Sequence, residues 1–196
     1  MKLTKDTLRS LIKEVVVERG RSSMILSESM EDPNEMAAPS SPTYDKIVGI
    51  LNGQDPSVRT VVIMSGQNPM AQQTDTAKNA MLDSNLKKDL SSMGLEFIPV
   101  GGRFDGHDED SVMILNASRQ QAQELNRKYT QWGYVWGESM PNFQMIQIDH
   151  NQQQGEGQAP GSKVATSIIV GPQAQAATDN YTYDYESGLK LLIPLY

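Results

Sequence analysis

Two stretches of the chain concentrate side chains whose types and spacing could do chemistry. The first is Ser65-Gly66-Gln67-Asn68-Pro69, which follows an apolar run and precedes a helical pattern, the position where α/β folds tend to set ligand sites. A glycine-containing turn there can present backbone N–H groups to an anion, helped by the following helix N-terminus. The stretch matches neither G-x-x-x-x-G-K-S/T nor G-x-G-x-x-G, so a phosphate cradle is weakly indicated. The plainer reading is a structural turn in which Asn68 bonds backbone ahead of proline. The second stretch, residues 101–111, joins two apolar runs and holds four carboxylates, one arginine and one of the two histidines. A hard cation could draw on Asp105, Asp108, Glu109 and Asp110, but the spacing lacks the glycine and glutamate of a calcium loop. A solvated hairpin loop is the plainer reading here. Glu109 and Asp110 would point to opposite faces of a strand, which counts against a cooperating acid–base pair. His107 and His150 are the only imidazoles and neither adjoins a G-x-S-x-G elbow, so hydrolase chemistry has no positive support. No metal site or cofactor is expected.

The elements that must position these groups can be read from periodicity. Arg59 to Ser65 is a buried strand, and Thr74 to Met93 a helix with Leu82, Leu86 and Leu90 at four-residue spacing before Gly94. Leu95 to Val100 and Ser111 to Leu115 read as strands, Ser118 caps a helix reaching about Gln131, and Tyr134 to Trp136 and Phe143 to Ile148 read as two more strands. The order β-α-β-β-α-β-β implies an α/β (α+β) domain. A two-layer, ferredoxin-like sandwich with helices on one face is preferred over a mixed sheet covered on both faces. A polar loop over 149–162 precedes C-terminal strands within 163–196, expected at Val164 to Val170 and Leu189 to Leu195. Between these, Tyr181, Tyr183 and Tyr185 alternate with polar residues, as on one face of a strand; a stacking platform is the alternative.

The domain proper is expected over 43–196, with its core at 58–148. Thr43 to Leu51 forms a short helix, 20–42 is a flexible linker, and 1–19 is an amphipathic helix. Leu8, Leu11, Ile12 and Val15 make one apolar stripe on that helix, and it is basic in a chain whose formal charge is −7. The acidic balance argues against nucleic acid as a partner. Hydrophobic content of 38% is a globular value, and no stretch approaches the ~20 apolar residues of a membrane span, so neither membrane anchoring nor secretion is expected. With no cysteine in 196 residues, disulfides, thiolate zinc sites and cysteine nucleophiles are excluded.

The pieces VVIMSGQNP, TAKNAMLDSNLKKDL, FIPVGGRFDGHDEDSVMIL and SRQQAQELNRKYTQWGYVW together resemble a small domain family of unknown function found in bacteria and their phages. The resemblance covers about residues 58–138. It implies Asn68, Pro69, Asn79, Glu109 and Ser111 as family positions, with Gly102 at a turn. The chain departs from that pattern at Gln67, where an aromatic is usual, at Asp110, which replaces a second glutamate, and at Val112, which replaces phenylalanine. The leader MKLTKDTLRSLIKEVVVE is similar to N-terminal helices on proteins of large tailed phages, including those that route cargo into proheads. Leu26-Ser27-Glu28 fits the apolar-any-glutamate pattern that the associated maturation proteases favour.

Three functions follow as expectations. The preferred one is a non-enzymatic tailed-phage protein, in the host cytoplasm or the virion. It docks on a scaffold or head protein through Leu8, Leu11, Ile12 and Val15, and is cut at Leu26 to Glu28. The second is a small-ligand or nucleotide-binding domain, with enzymatic activity left open. Its pocket would lie between the 65–70 turn and the 103–111 loop: Asn68 and Asn79 give hydrogen bonds, Arg103 meets an anion, and Glu109 and Ser111 complete the site. The third is an inhibitor or adaptor whose acidic surface binds a basic partner.

Overall fold

The computed structural model describes residues 40–104, 107–139, 144–149 and 164–194. The expected helix over 1–19 with Leu8, Leu11, Ile12 and Val15, the cleavage positions Leu26 and Glu28, residues 20–39 of the expected linker and residues 150–162 of the polar loop lie outside the described residues.

Helix α1 (Pro42–Leu51) begins where Ser41 caps it: the Ser41 hydroxyl accepts the Tyr44 N–H at 2.9 Å. Pro42 occupies the first helical position, where its missing N–H costs no hydrogen bond. Strand β1 (Thr60–Ser65) follows and is buried from Val61 onward. Helix α2 (Thr76–Ser92) starts later than expected because Asp75, not Thr74, caps it by accepting the Lys78 N–H; Gly94, at φ +68°, ends it.

Strands β2 (Phe97–Phe104) and β3 (His107–Leu115) form a longer hairpin than expected. Pairing continues through Gly101↔Asp110, Gly102↔Glu109, Arg103↔Asp108 and Phe104↔His107. Most of the stretch expected as a loop over 101–111 is therefore ladder, and Gly102, expected at a turn, lies inside β2. Glycine and carboxylates are poor strand formers by composition, but here cross-strand neighbours and the sheet satisfy them. Helix α3 (Arg119–Lys128) opens with a capping box of Ser118 and Gln121. It is followed by β4 (Gly133–Glu138), β5 (Gln144–Asp149), β6 (Val164–Ala165), the four-residue α4 (Pro172–Gln175), β7 (Tyr181–Tyr183) and β8 (Lys190–Leu191).

All pairings are antiparallel, and the sheet runs β6-β5-β4-β1-β3-β2-β7-β8. The central β4-β1-β3-β2 set is the sheet that a split β-α-β unit builds, so the α/β class and the ferredoxin-like core hold. The C-terminal strands join this same sheet, although they are shorter than expected: Val164–Ala165 and Lys190–Leu191, joined by an isolated bridge between Ile169 and Leu192.

Both faces of the sheet are covered. Leu86, Leu90 and Leu125 from α2 and α3 pack on Val62, Met64, Val112 and Ile114. On the other face Ile47, Ile50 and Leu51 of α1 pack on Val61, Ile63, Val100, Met113 and Leu115. This differs from helices on one face alone. The reason lies in β1, whose side chains are apolar on both sides, so an uncovered second face would leave a large apolar area in water. A long-range latch holds α1 in place: Ser41 Oγ donates to Asp184 at 2.6 Å, and Asp184 also accepts the Ser187 N–H and hydroxyl. Among the described residues no helix is long and apolar enough to cross a membrane.

Candidate functional site

Beyond Ser65 the chain turns sharply. Asn68 adopts φ 45°, ψ 62°, and Met70 and Ala71 also have positive φ. Asparagine tolerates this left-handed region better than most residues, whereas Met70 and Ala71 hold strain that the surroundings must impose. Those surroundings are hydrogen bonds. The Met70 N–H donates to the Thr130 carbonyl at 2.8 Å, Gln131 Nε2 donates to the Gln67 carbonyl at 2.7 Å, and the Asn68 N–H donates to Asn79 Oδ1 at 3.0 Å.

The Asn68 side chain is fully engaged in ordering this corner. Its Oδ1 accepts from Asn79 Nδ2 at 2.9 Å and from the Thr74 N–H at 3.1 Å, while its Nδ2 donates to Glu109 Oε1 at 2.9 Å. Thr74 Oγ1 also donates to Asn79 Oδ1. The 65–70 turn, the first turn of α2 and strand β3 thus meet at one carboxylate. Burial pushes the Glu109 carboxyl above the usual carboxylate range, against the pull of Asn68, of the nearby His107 and of Ser65, which favour the charged form.

Glu109, Ser111 and Met113 alternate onto the α1 face of β3. Ser111 stands opposite both Ser65 and Val100 in the ladder. Its hydroxyl is buried, at 2% residue exposure, and has no hydrogen-bond partner. The Phe104 ring packs over Gly102 beside it, so closely that a Cβ there would come within 2.6 Å of the ring and 3.2 Å of Ser111 Oγ. Buried hydroxyls are normally paired, so this one stands out.

These groups border a cavity of about 870 Å³. Ser65, Asn68, His107, Glu109 and Ser111 contribute polar groups to its lining, joined by Gln131 and Thr182, and Ile63 and Val135 line it from the sheet. Ile169, Leu192 and Ile193 supply an apolar wall from the C-terminal segment. The volume lies within the ~300 to 1,000 Å³ of small-molecule sites. A second depression of about 510 Å³ follows the exposed side of α2 around Asp83, Lys87 and Ser91, where Asp83 is already paired with Lys87 at 2.7 Å.

Among the sequence candidates, Asn68, Asn79, Glu109 and Ser111 come together. Arg103 does not join them. It stands one residue out of phase with Gly102, the partner of Glu109, and so lies on the opposite face, where its guanidinium reaches both Asp108 oxygens at 2.9 Å. The same alternation separates Glu109 from Asp110 and leaves Asp108 facing Arg103. Among the described residues no three His, Asp or Glu side chains converge on a common point. The apolar wall has no precedent in the sequence, because Ile169, Leu192 and Ile193 lie far along the chain from Glu109 and Ser111 and carry no local signal that sets them against these residues.

A DUF3293 domain, described as a protein of unknown function, is found at residues 64–132. No curated protein matches the chain. All four converging residues lie within the DUF3293 match, whereas Ile169, Leu192 and Ile193 lie beyond it. Two departures from the resembled pattern, Gln67 and Asp110, touch each other: Gln67 Nε2 donates to Asp110 Oδ2 at 2.7 Å, and the Asp110 N–H donates to Gln67 Oε1 at 3.2 Å. This polar pair is completed by the Tyr185 hydroxyl, which donates to Asp110 Oδ1.

Proposed function

We propose that this domain binds a small organic molecule in the 870 Å³ cavity, with Asn68, Glu109 and Ser111 among the polar groups that line it. The observation that carries this reading is the Ser111 hydroxyl, buried at 2% exposure on the cavity wall without a partner. A ligand atom would satisfy it, as would the remaining hydrogen-bonding capacity of Glu109. The strained 68–71 turn supports the same reading, because positive φ at Met70 and Ala71 costs stability, and such cost gathers at sites where geometry serves binding. No reaction is assigned. The test is a backbone-amide NMR titration of the full chain against a library of small polar and amphipathic molecules. Saturable shifts clustered at Ser65, Asn68, Glu109 and Ser111, abolished by Val135→Trp in a chain that still folds, support the reading. Shifts confined to other surfaces, or none at all, contradict it.

The sequence of residues 1–28 supports a second, separate role: docking of the Leu8, Leu11, Ile12 and Val15 stripe on a tailed-phage scaffold or head protein, with cleavage after Glu28 and passage into the virion. The specific observation is a basic amphipathic segment on an acidic chain, followed by Leu26-Ser27-Glu28. Deleting residues 1–28 should then leave the melting temperature of the domain unchanged and abolish its incorporation into heads. Unchanged incorporation contradicts this role.

A further inference from the structure

We propose that the cavity takes an apolar amine, its ammonium group held between Glu109 and Ser111 and its hydrocarbon body laid against Ile63, Val135 and the C-terminal wall. The proposal rests on the ligand-binding reading above and specifies its chemistry. The first argument is charge. Among the described residues no lysine or arginine lines the cavity and His107 is its one imidazole, already drawn to Glu109, so a phosphate or carboxylate would meet the Glu109 carboxylate with no permanent cation to offset it. The hairpin's own cation, Arg103, is tied to Asp108 on the other face.

The second argument is donor and acceptor matching. Glu109 and Ser111 stand two residues apart on one strand face, a separation of about 7 Å between Cα atoms. An ammonium offers three donors and no acceptor. It can give one hydrogen bond to the carboxylate and one to the idle Ser111 oxygen, leaving a third for the edge of the cavity. Asn68, already donating to Glu109 Oε1 at 2.9 Å, fixes the carboxylate so that its position is set before the ligand arrives. Burial disfavours the Glu109 charge, and a bound ammonium restores it. The third argument is the wall. Ile169, Leu192 and Ile193 lie C-terminal to the DUF3293 match, so the polar clamp and the surface that reads the hydrocarbon body come from different parts of the chain.

The experiment is calorimetric titration of the full chain at neutral pH with three probes of like shape: phenethylamine, 2-phenylethanol and 3-phenylpropionate. The amine should bind saturably, the alcohol at least roughly tenfold more weakly, and the carboxylate not at all. Glu109→Gln should weaken the amine by about tenfold or more and bring it level with the alcohol, while Ser111→Ala weakens it less. The amine-to-alcohol ratio in the unaltered chain decides the matter even if a variant fails to fold. Equal binding of amine and alcohol, or preference for the carboxylate, overturns the amine and leaves the cavity reading standing. No binding by any of the three overturns the amine as well, and the library titration then judges the cavity by itself.

Discussion

The two faces of the β2–β3 hairpin handle the same residue types in opposite ways. On the face toward α2, each charged or polar group meets a partner from the chain itself. Arg103 pairs with Asp108, and Asp110 takes Gln67 and the Tyr185 hydroxyl. Tyr183 lies so closely over Gly101 that a Cβ there would sit 2.0 Å from the ring. On the face toward α1, Glu109 is drawn into the protein with its pKa raised, and Ser111 is buried with no partner at all. Polar groups that close on one another are architecture. Those left open on a cavity, at a cost in stability, are where the proposed ligand would bind.

The largest effect should come from breaking the link between turn and hairpin. Asn68→Ala removes the bond to Glu109 and leaves Asn79 Nδ2 and the Thr74 N–H without their acceptor, and it keeps a non-glycine residue at positive φ. We expect a loss of about 2–4 kcal/mol in denaturant unfolding. Asn68→Gly should recover only the backbone part.

On the open face, Glu109→Gln should raise the melting temperature at neutral pH by a few degrees. The sign follows from the raised pKa. Protonated Glu109 is the form folding favours, so its contribution is intact below the carboxyl's unfolded value and is lost as pH rises through the folded value. The variant should therefore gain most over the parent at the upper end of that window, and a variant that is less stable there would contradict the assignment.

On the closed face, a double-mutant cycle of Gln67→Ala and Asp110→Ala should yield a coupling of about 1 kcal/mol; simple additivity would show that the pair is incidental. The smallest effect belongs to Arg103→Ala, which should leave both ligand binding and melting temperature unchanged within error, because the ion pair is solvent-exposed. A loss of binding would place Arg103 at the site after all.

Much of the frame was legible in the sequence because its signals are local. The apolar run of β1, the leucines of α2 and the Ser118 cap of α3 need no knowledge of the rest of the chain. The length of the hairpin was not legible, since Gly101 to Asp110 reads as a loop by composition and becomes strand only through cross-strand pairing. Register explains the case of Arg103 as well: the residue type suited an anion, but alternation along β2 assigns it to the face away from Glu109. The cover on the second face and the cavity wall depend on contacts across the whole domain, such as Ser41 to Asp184, 143 residues apart, and no local pattern encodes them. The convergence of Asn68, Asn79 and Glu109 was anticipated by chemistry and resemblance together, whereas the idle Ser111 hydroxyl is a property of packing alone.

The most direct test of the central claim, that this cavity is built for a ligand, is a high-resolution crystal structure of the full chain soaked with phenethylamine. The account predicts the cavity open between Ser111 and Leu192, with the amine nitrogen within hydrogen-bond distance of Ser111 Oγ and a Glu109 oxygen. A cavity closed by the C-terminal segment, with Ser111 Oγ bonded to the chain itself, would contradict it.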